Sequence, residues 1–353
     1  IPGERKLRRE ILVSATNHES WVALMEDEKL VEVMFDRSDQ DRLVGGIYLG
    51  KVEAVIPGIQ AAFVDIGAVK AGFLHVSDLD WDSDQSSGNK VNSGKRRRER
   101  RYLPIQDRIK KGQSIVVQVT KEPIGTKGPK LTAQISMPGR FLVYMPGSYH
   151  VGVSRKIEDR SERSRLRKLA KEILPEDGGG IIVRTVSEEL NRETFEKEFK
   201  RLSSKWGEIL RKKEGLDAPA PLQREASLIS SVIRDLFSSR FESITVDSKK
   251  IYQEILQYVK SVAPELKDRV VLYTDSLSLF DKYGIEAEVQ GTFTKQAMLP
   301  SGGYIVIEQT EALVSIDVNT GKYIGKKDPE KTILRTNLDA ASEIAKQLRL
   351  RDI

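Results

Sequence analysis

The chain has 353 residues, 39% hydrophobic and 31% charged, which is length for two or three domains with real cores beneath a heavily charged surface. It has no cysteine, excluding disulfides and thiolate zinc sites, and no run approaches the ~20 apolar residues that would cross a bilayer. The formal charge of +6 is local: residues 95–101 (KRRRERR) carry +5, residues 155–171 carry eight Lys or Arg against three acids, and the rest is therefore net −4, a pattern that favours a polyanionic partner over general solubility. A solvated loop or helix face is the competing reading of either run.

The first ten residues are basic with no apolar stretch behind them, so no secretory signal is legible there. The expected setting is a reducing, cytoplasmic one, with an organellar origin left open. EILVSAT, SWVALM and KLVEVMF alternate between turn residues and predict a β-meander over Arg9 to Phe35, with a boundary at Ser38 to Arg42. From Val44 to about Ile135, IYLGKVEAVI, AAFVDIG, AGFLHVS, SIVVQVTKEP and KLTAQIS predict a five-stranded OB barrel. The Ser-, Gly-, Asn- and Arg-rich insertion from Asp80 to Leu103 has the composition of a disordered loop. If Val64, Ile66, Leu74 and Val76 fill the barrel, Phe63, Phe73 and His75 face outward as stacking platforms for unpaired bases. Lys51, Lys121, Lys127 and Lys130 would meet phosphates around them. The alternative buries the two Phe against a neighbouring domain. GKV, AAFVDIG and GFLHVS together resemble the RNA-binding module named after a small-subunit ribosomal protein, which favours RNA.

Beyond FLVYMP, Leu166, Leu169, Ala170 and Ile173 recur at helical spacing, predicting a helix from Ser161 with a basic outer face, ended by Pro175. IIVRTV reads as a buried strand carrying Arg184 and Thr185 at its end, a guanidinium and a hydroxyl suited to gripping phosphate; an interior salt bridge would look the same. Phe195, Phe199, Leu202 and Trp206 mark the buried stripe of a helix over Asn191 to Lys213. Pro219 and Pro221 close that unit, and further helices are expected over Gln223 to Phe237 and Lys249 to Val262, alternating with strands at FESITVDS and RVVLYTD, then a loop from Ser276 to Gly284. Tyr304 to Glu308 and Leu313 to Val318 predict a hairpin across Gln309 to Glu311. Its second strand sets Ser315, Asp317 and Asn319 on one face and Val314, Ile316 and Val318 on the other. A carboxylate and an amide oxygen two residues apart suit one hard divalent cation; a solvated strand face is the alternative. The last expected helix, Asn337 to Leu350, has Leu338, Ala341, Ile344, Ala345 and Leu348 on one face.

AAFVDIG with GFLHVS, VSRKIE, GIIVRT, LPSGGYIVIEQTEALVSIDVN and TNLDAASEIAKQLRLRD, in that order, resemble the N-terminal catalytic half of the ribonuclease E/G family of single-strand endoribonucleases. The resemblance implies an α+β multidomain architecture. An RNase H-like domain (1–41 and 230–290) would be interrupted by the OB-fold RNA-binding domain (42–135) and a 5′-sensor domain (136–229), and a DNase I-like catalytic domain would start at 291–353. It implies Mg²⁺-dependent cleavage of single-stranded RNA to 5′-monophosphate and 3′-hydroxyl ends in RNA decay and in rRNA and tRNA processing. Asp317 would ligate the metal and Asn319 orient the site; Arg184 and Thr185 would hold the RNA 5′ phosphate with the backbone near Val143 and with Arg155 and Lys156. It also implies a homo-oligomer and association with other RNA-degradation components. In the family a second catalytic carboxylate follows the RLRD segment after a short apolar strand, and a cysteine pair for a dimer-linking zinc comes later; both positions would fall after Ile353, and Asp352 is not taken to replace the carboxylate. The competing class is a non-catalytic RNA-binding protein that uses the barrel and the basic surfaces alone.

Overall fold

The computed structural model describes residues 7–16, 18–37, 42–79, 103–123, 125, 127–175, 178–188, 190–224, 227–238, 240–310, 313–321 and 329–353. The basic insertion, apart from Leu103, lies outside the described residues, as do 38–41 at the expected boundary and Glu311 in the hairpin loop. The chain divides into two units, Asp41–Ala226 and, from its two ends, Ile1–Gln40 with Ser227–Ile353.

The meander forms as expected from β1 (Arg9–Ala15), β2 (Glu19–Glu26) and β3 (Lys29–Arg37), all antiparallel. Asp27 and Glu28 join β2 to β3 with φ of 47° and 65°, a two-residue left-handed turn that matches the twist of the strands. Ile11, Leu12 and Val13 are all fully buried, so β1 is covered on both faces.

In the second unit β4 (Ile47–Ile56), β5 (Ala61–Asp65), β6 (Gly72–His75), a single helical turn α1 (Ile105–Arg108), β7 (Ser114–Lys121) and β8 (Lys130–Thr132) build a closed five-stranded, OB-like barrel. Its order is β4-β5-β6-β8-β7 with β7 returning to β4, and only β6–β8 is parallel. Val52, Val64, Leu74, Val117, Val119 and Leu131 fill it. Gly72 lets β6 approach β8: a Cβ there would stand 2.4 Å from Leu131 Cδ1.

Next come β9 (Met137–Pro138), β10 (Leu142–Met145), β11 (Val151–Val153), α2 (Arg160–Ile173), β12 (Gly180–Val183) and α3 (Arg192–Glu214). The strands form one sheet, β11-β12-β10-β9, and the two helices bury Leu166, Ala170, Phe195, Phe199, Leu202 and Ile209 with it. Asp159 caps α2 and Asn191 caps α3 by accepting backbone N–H bonds from Ser161 and Thr194. The expected helix over Gln223 to Phe237 is shorter. Its start belongs instead to β13 (Ala220–Gln223), which pairs antiparallel with β4 on an edge where Pro221 is tolerated, and only α4 (Leu228–Asp235) is helical.

Back in the first unit, β14 (Ser243–Val246), α5 (Lys249–Val262) and β15 (Val270–Leu272) extend the meander on its β1 side, both strands parallel, giving β15-β14-β1-β2-β3. α4 and α5 cover one face with Ile11, Val13, Ile244 and Val246. The other face packs Leu12, Ala23 and Met25 against Leu279, Phe280, Ile285, Val289 and Leu350. The stretch read as a loop therefore contains α6 (Leu279–Lys282), followed by α7 (Glu286–Gly291).

The hairpin is β17 (Tyr304–Gln309) and β18 (Val314–Asn319), with β16 (Gln296–Met298) added on β17, and α8 (Pro329–Leu350) packs on it. The packed face of α8 is only partly the expected one: Ile344 packs against the hairpin core and Leu348 is half-buried. Leu338 is 62% exposed and Ala341 and Ala345 are exposed, whereas Thr336, Ala340, Gln347 and Leu350 are buried. Gln347 donates to Glu343 Oε1 (2.8 Å) and accepts from Arg351 Nε (2.6 Å), while Arg351 Nη1 reaches the Thr294 carbonyl (2.6 Å), so the buried Gln347 amide is bonded through both its nitrogen and its oxygen. No helix among the described residues is long and apolar enough to cross a membrane.

Candidate nucleic-acid interface and carboxylate strand

The barrel presents a row across four strands. Phe63 on β5 stands opposite Phe73 on β6, Phe73 beside Lys130 on β8, and Lys130 opposite Lys121 on β7. The pleat that buries Val64 and Leu74 turns the two rings to the other face, where Phe63 is 36% exposed and Phe73 half-buried. Their centroids lie 6.0 Å apart at 67°, an edge-to-face pair that leaves a ring face for a further π system. His75, two residues along β6, accepts the Ser77 N–H on Nδ1 (3.2 Å), which places the proton of the neutral ring on Nε2. Of the lysines, Lys51, Lys121 and Lys127 are exposed, but Lys130 Nζ is engaged by Asp78 Oδ2 at 3.3 Å. Sequence reasoning grouped these residues; the row they make is a product of strand order.

A second cluster is built where β11 and β12 end beside the start of β10. Arg184 follows β12; its N–H bonds to the Phe141 carbonyl (2.8 Å) and its Nη1 to the Gly139 carbonyl (2.8 Å). Thr185 Oγ1 lies 3.0 Å from Ser154 Oγ, and the Lys156 N–H donates to that same Ser154 oxygen (3.3 Å). Arg155 and Lys156 are exposed on the loop leaving β11, and Val143 lies within the sheet, in register with Ile182 and Pro138. The structure thus brings a guanidinium, two hydroxyls and two flexible cations to neighbouring strand ends, a donor-rich set that suits a phosphate.

Two members were missed from sequence. Ser154 comes into place only through the parallel pairing of β11 with β12. Glu198, inside the apolar stripe of α3, is 5% exposed and accepts three consecutive backbone N–H bonds, from Arg140 (2.7 Å), Phe141 (2.8 Å) and Leu142 (3.1 Å). It fixes the segment whose carbonyls hold Arg184. Gly139 is required beside it, because a Cβ would stand 2.8 Å from the Glu198 carboxyl.

Asp317 and Asn319 belong to the other unit. They share the polar face of β18, with Val306 and Tyr304 opposite them on β17, and Asn319 Nδ2 donates to Asp317 Oδ2 at 2.9 Å. Asp317 is exposed and Asn319 half-buried. Ile305 and Ile307, buried with Ala340, hold the hairpin against α8 so that this face stays open.

A model of the ribonuclease E/G family matches residues 136–353. The chain is 39% identical over 344 residues to ribonuclease G of Haemophilus influenzae, covering 98% of this chain and 69% of that protein. It is 38% identical over 344 residues to ribonuclease G of Escherichia coli K12, with the same coverage. Ribonuclease E of Synechocystis is 38% identical over 347 residues, which is 97% of this chain and 49% of that relative.

Proposed function

Since the chain belongs to the ribonuclease E/G family, we infer that it is an endoribonuclease, a hydrolase that cuts single-stranded RNA internally and leaves 5′-monophosphate and 3′-hydroxyl ends. Its roles in this reading are RNA decay and rRNA and tRNA processing in the cytoplasm, as a homo-oligomer that meets other RNA-degradation components. The observation that carries the reading is the Asp317–Asn319 pair, oriented on an open strand face in a chain that also holds the aromatic–lysine row and the hydroxyl–guanidinium cluster. The five-stranded sheet with its helices is then the RNase H-like domain, the β9 to β12 sheet the 5′ sensor, and β16 to α8 the start of the DNase I-like catalytic domain.

The donor set at Asp317 fits one side of a Mg²⁺ site, since that ion is commonly held by one or two carboxylates and completes its shell with water and substrate oxygens. Asp317 and Asn319 would hold it, Asn319 fixing the carboxylate through the 2.9 Å bond. Bound there, the ion would supply Lewis acidity, polarising water and offsetting the negative charge that develops on the phosphoryl oxygens. Phe63 and Phe73 stack on bases, and Lys51, Lys121 and Lys127 neutralise phosphates. Arg184, Thr185 and Ser154 take the 5′ phosphate, so that one end of the RNA is tethered and the effective concentration of an internal bond rises.

Asp317→Ala in the intact protein is expected to abolish cleavage and leave RNA affinity unchanged; cutting near the wild-type rate sinks the assignment. Arg184→Ala is expected to remove the preference for 5′-monophosphorylated over 5′-hydroxyl RNA, and an equal loss on both ends counts against a sensor. A second reading, RNA binding without cleavage by this 353-residue polypeptide, rests on the exposed aromatic–lysine row of the barrel, which needs no metal to hold a strand. Single-turnover assay of the polypeptide with Mg²⁺ separates the two.

A further inference from the structure

α2 carries two populations of cations. Arg165 is paired with Glu162 at 2.7 Å, and Lys168 stands 4.0 Å from Glu172, which also meets Arg192. Arg160, Arg163, Arg167 and Lys171 have no ion pair among the described residues. They are spaced three, four and four residues apart, so at ~100° per residue they fall within about 80° of one helix face, one every ~4.5 to 6 Å along it. Arg160, Arg167 and Lys171 are exposed and Arg163 half-buried. The helix packs its Leu166 and Ala170 face on the sheet, and both of its acids within the helix, Glu162 and Glu172, sit off the stripe. Like charges at such spacing oppose an isolated helix, and Arg160 and Arg163 also stand in its first turn, where a cation meets the positive end of the dipole. Nothing in the packing of α2 calls for this arrangement, but an extended polyanion does. Five residues separate Ser154, whose hydroxyl meets Thr185, from Arg160, and that connection carries Arg155 and Lys156.

We propose that the Arg160–Arg163–Arg167–Lys171 stripe of α2 is a track for the sugar–phosphate backbone of single-stranded RNA, taking about four consecutive phosphates without reading sequence. Resting on the 5′-phosphate reading of the Arg184 cluster, it adds a surface to that site: the strand end is held at Arg184 and Thr185, and the nucleotides that follow lie along α2. A single strand fits better than a duplex, because one row of cations on one helix neutralises one backbone.

The test measures binding of a short unstructured 5′-monophosphorylated RNA to the 353-residue chain across a salt series, without divalent cations. Each phosphate neutralised in a single strand contributes about 0.7 to the slope of log K against log salt, so R160Q/R163Q/R167Q/K171Q is expected to reduce the slope by ~3. R167Q/K171Q, a milder change confined to the last turns, is expected to lose about half of that. A control removing the same charge from exposed positions of the other unit, K29Q/K250Q/K260Q/K267Q, is expected to change the slope by less than about 1. Equal slopes for the stripe variants and wild type, or equal reductions in stripe and control, overturn the track. A larger effect on a blunt duplex than on the single strand overturns the single-strand assignment. If R184A keeps full 5′-phosphate discrimination while the stripe variants lose slope, the sensor reading fails and the track stands.

Discussion

Glu198 is where the candidate phosphate site is most exposed to experiment. Its carboxylate serves three N–H groups in a row at 2.7, 2.8 and 3.1 Å and is nearly out of contact with water. In Glu198→Ala those donors lose their acceptor. A buried donor left unmet costs ~1–3 kcal/mol, partial relaxation toward water recovers some of it, and the loss of three is therefore ~3–5 kcal/mol, a large share of a domain's ~5–15 kcal/mol. Glu198→Gln is graded differently. Oε2 takes Phe141 and Leu142 and Oε1 takes Arg140, so an amide that keeps its oxygen on the first two surrenders one bond and turns an NH₂ toward the third, costing ~1–2 kcal/mol. Urea unfolding of the chain, followed by far-UV circular dichroism, reads both. The 5′-monophosphate preference is measured alongside, because the same segment carries the Gly139 and Phe141 carbonyls that hold Arg184. The expected order is wild type, Gln, Ala in stability and in preference. Gly139→Ala, which drives a Cβ into the carboxyl, should act like Glu198→Ala and add little to it. Should Glu198→Ala unfold within about 1 kcal/mol of wild type, the carboxylate does not hold this segment and the reasoning fails.

Phe63→Ala and Phe73→Ala are each expected to weaken binding of short single-stranded RNA by ~1–3 kcal/mol, measured by fluorescence anisotropy, and the double variant by less than the sum because the rings contact each other. The bonds from the Ser161 hydroxyl and N–H hold the Asp159 carboxyl below its ordinary range. A depressed pKa favours the folded, ionised form, so its capping of α2 is fully present above about pH 4, the ordinary value, and is lost as pH falls through the lowered folded value. The difference in melting temperature between wild type and Asp159→Ala should therefore shrink on acidification below that point; a gap that stays constant down to strong acid refutes the cap.

What could be read from the sequence follows from which forces are local. Val64, Ile66, Leu74 and Val76 alternate with Phe63, Asp65, Phe73 and His75, and a two-residue period has one solution once a barrel is formed. The hairpin and its polar face were legible for the same reason. Pairing between distant segments was not. Ala220–Gln223 is a strand because β4 offers it an edge, and Ser154 meets Thr185 because β11 lies beside β12. Hydrophobic periodicity misled in part at α8, where Ile344 packs as expected but Leu338 is exposed and Gln347 is 6% exposed: a count of apolar residues cannot see that Glu343 and Arg351 meet the Gln347 amide. It was equally silent about Glu198, whose position on α3 reads as a break in the stripe until its three backbone partners, 56 to 58 residues away, are in place.

The placement of β14 beside β1 has a consequence in time. Glu10 to Val13 run in register with Ser243 to Val246, and the Ser14 hydroxyl donates to Asp247 across 233 residues. At ~5–20 residues per second a ribosome needs on the order of ten to fifty seconds to deliver that partner. The inserted barrel and its neighbouring sheet are complete in the chain before then, while the meander waits with one side of β1 unpaired. Synthesis thus completes the inserted unit first and closes the five-stranded sheet of the other unit last. A slow-growing chain is most vulnerable to pairing with another nascent copy through β1 during that interval.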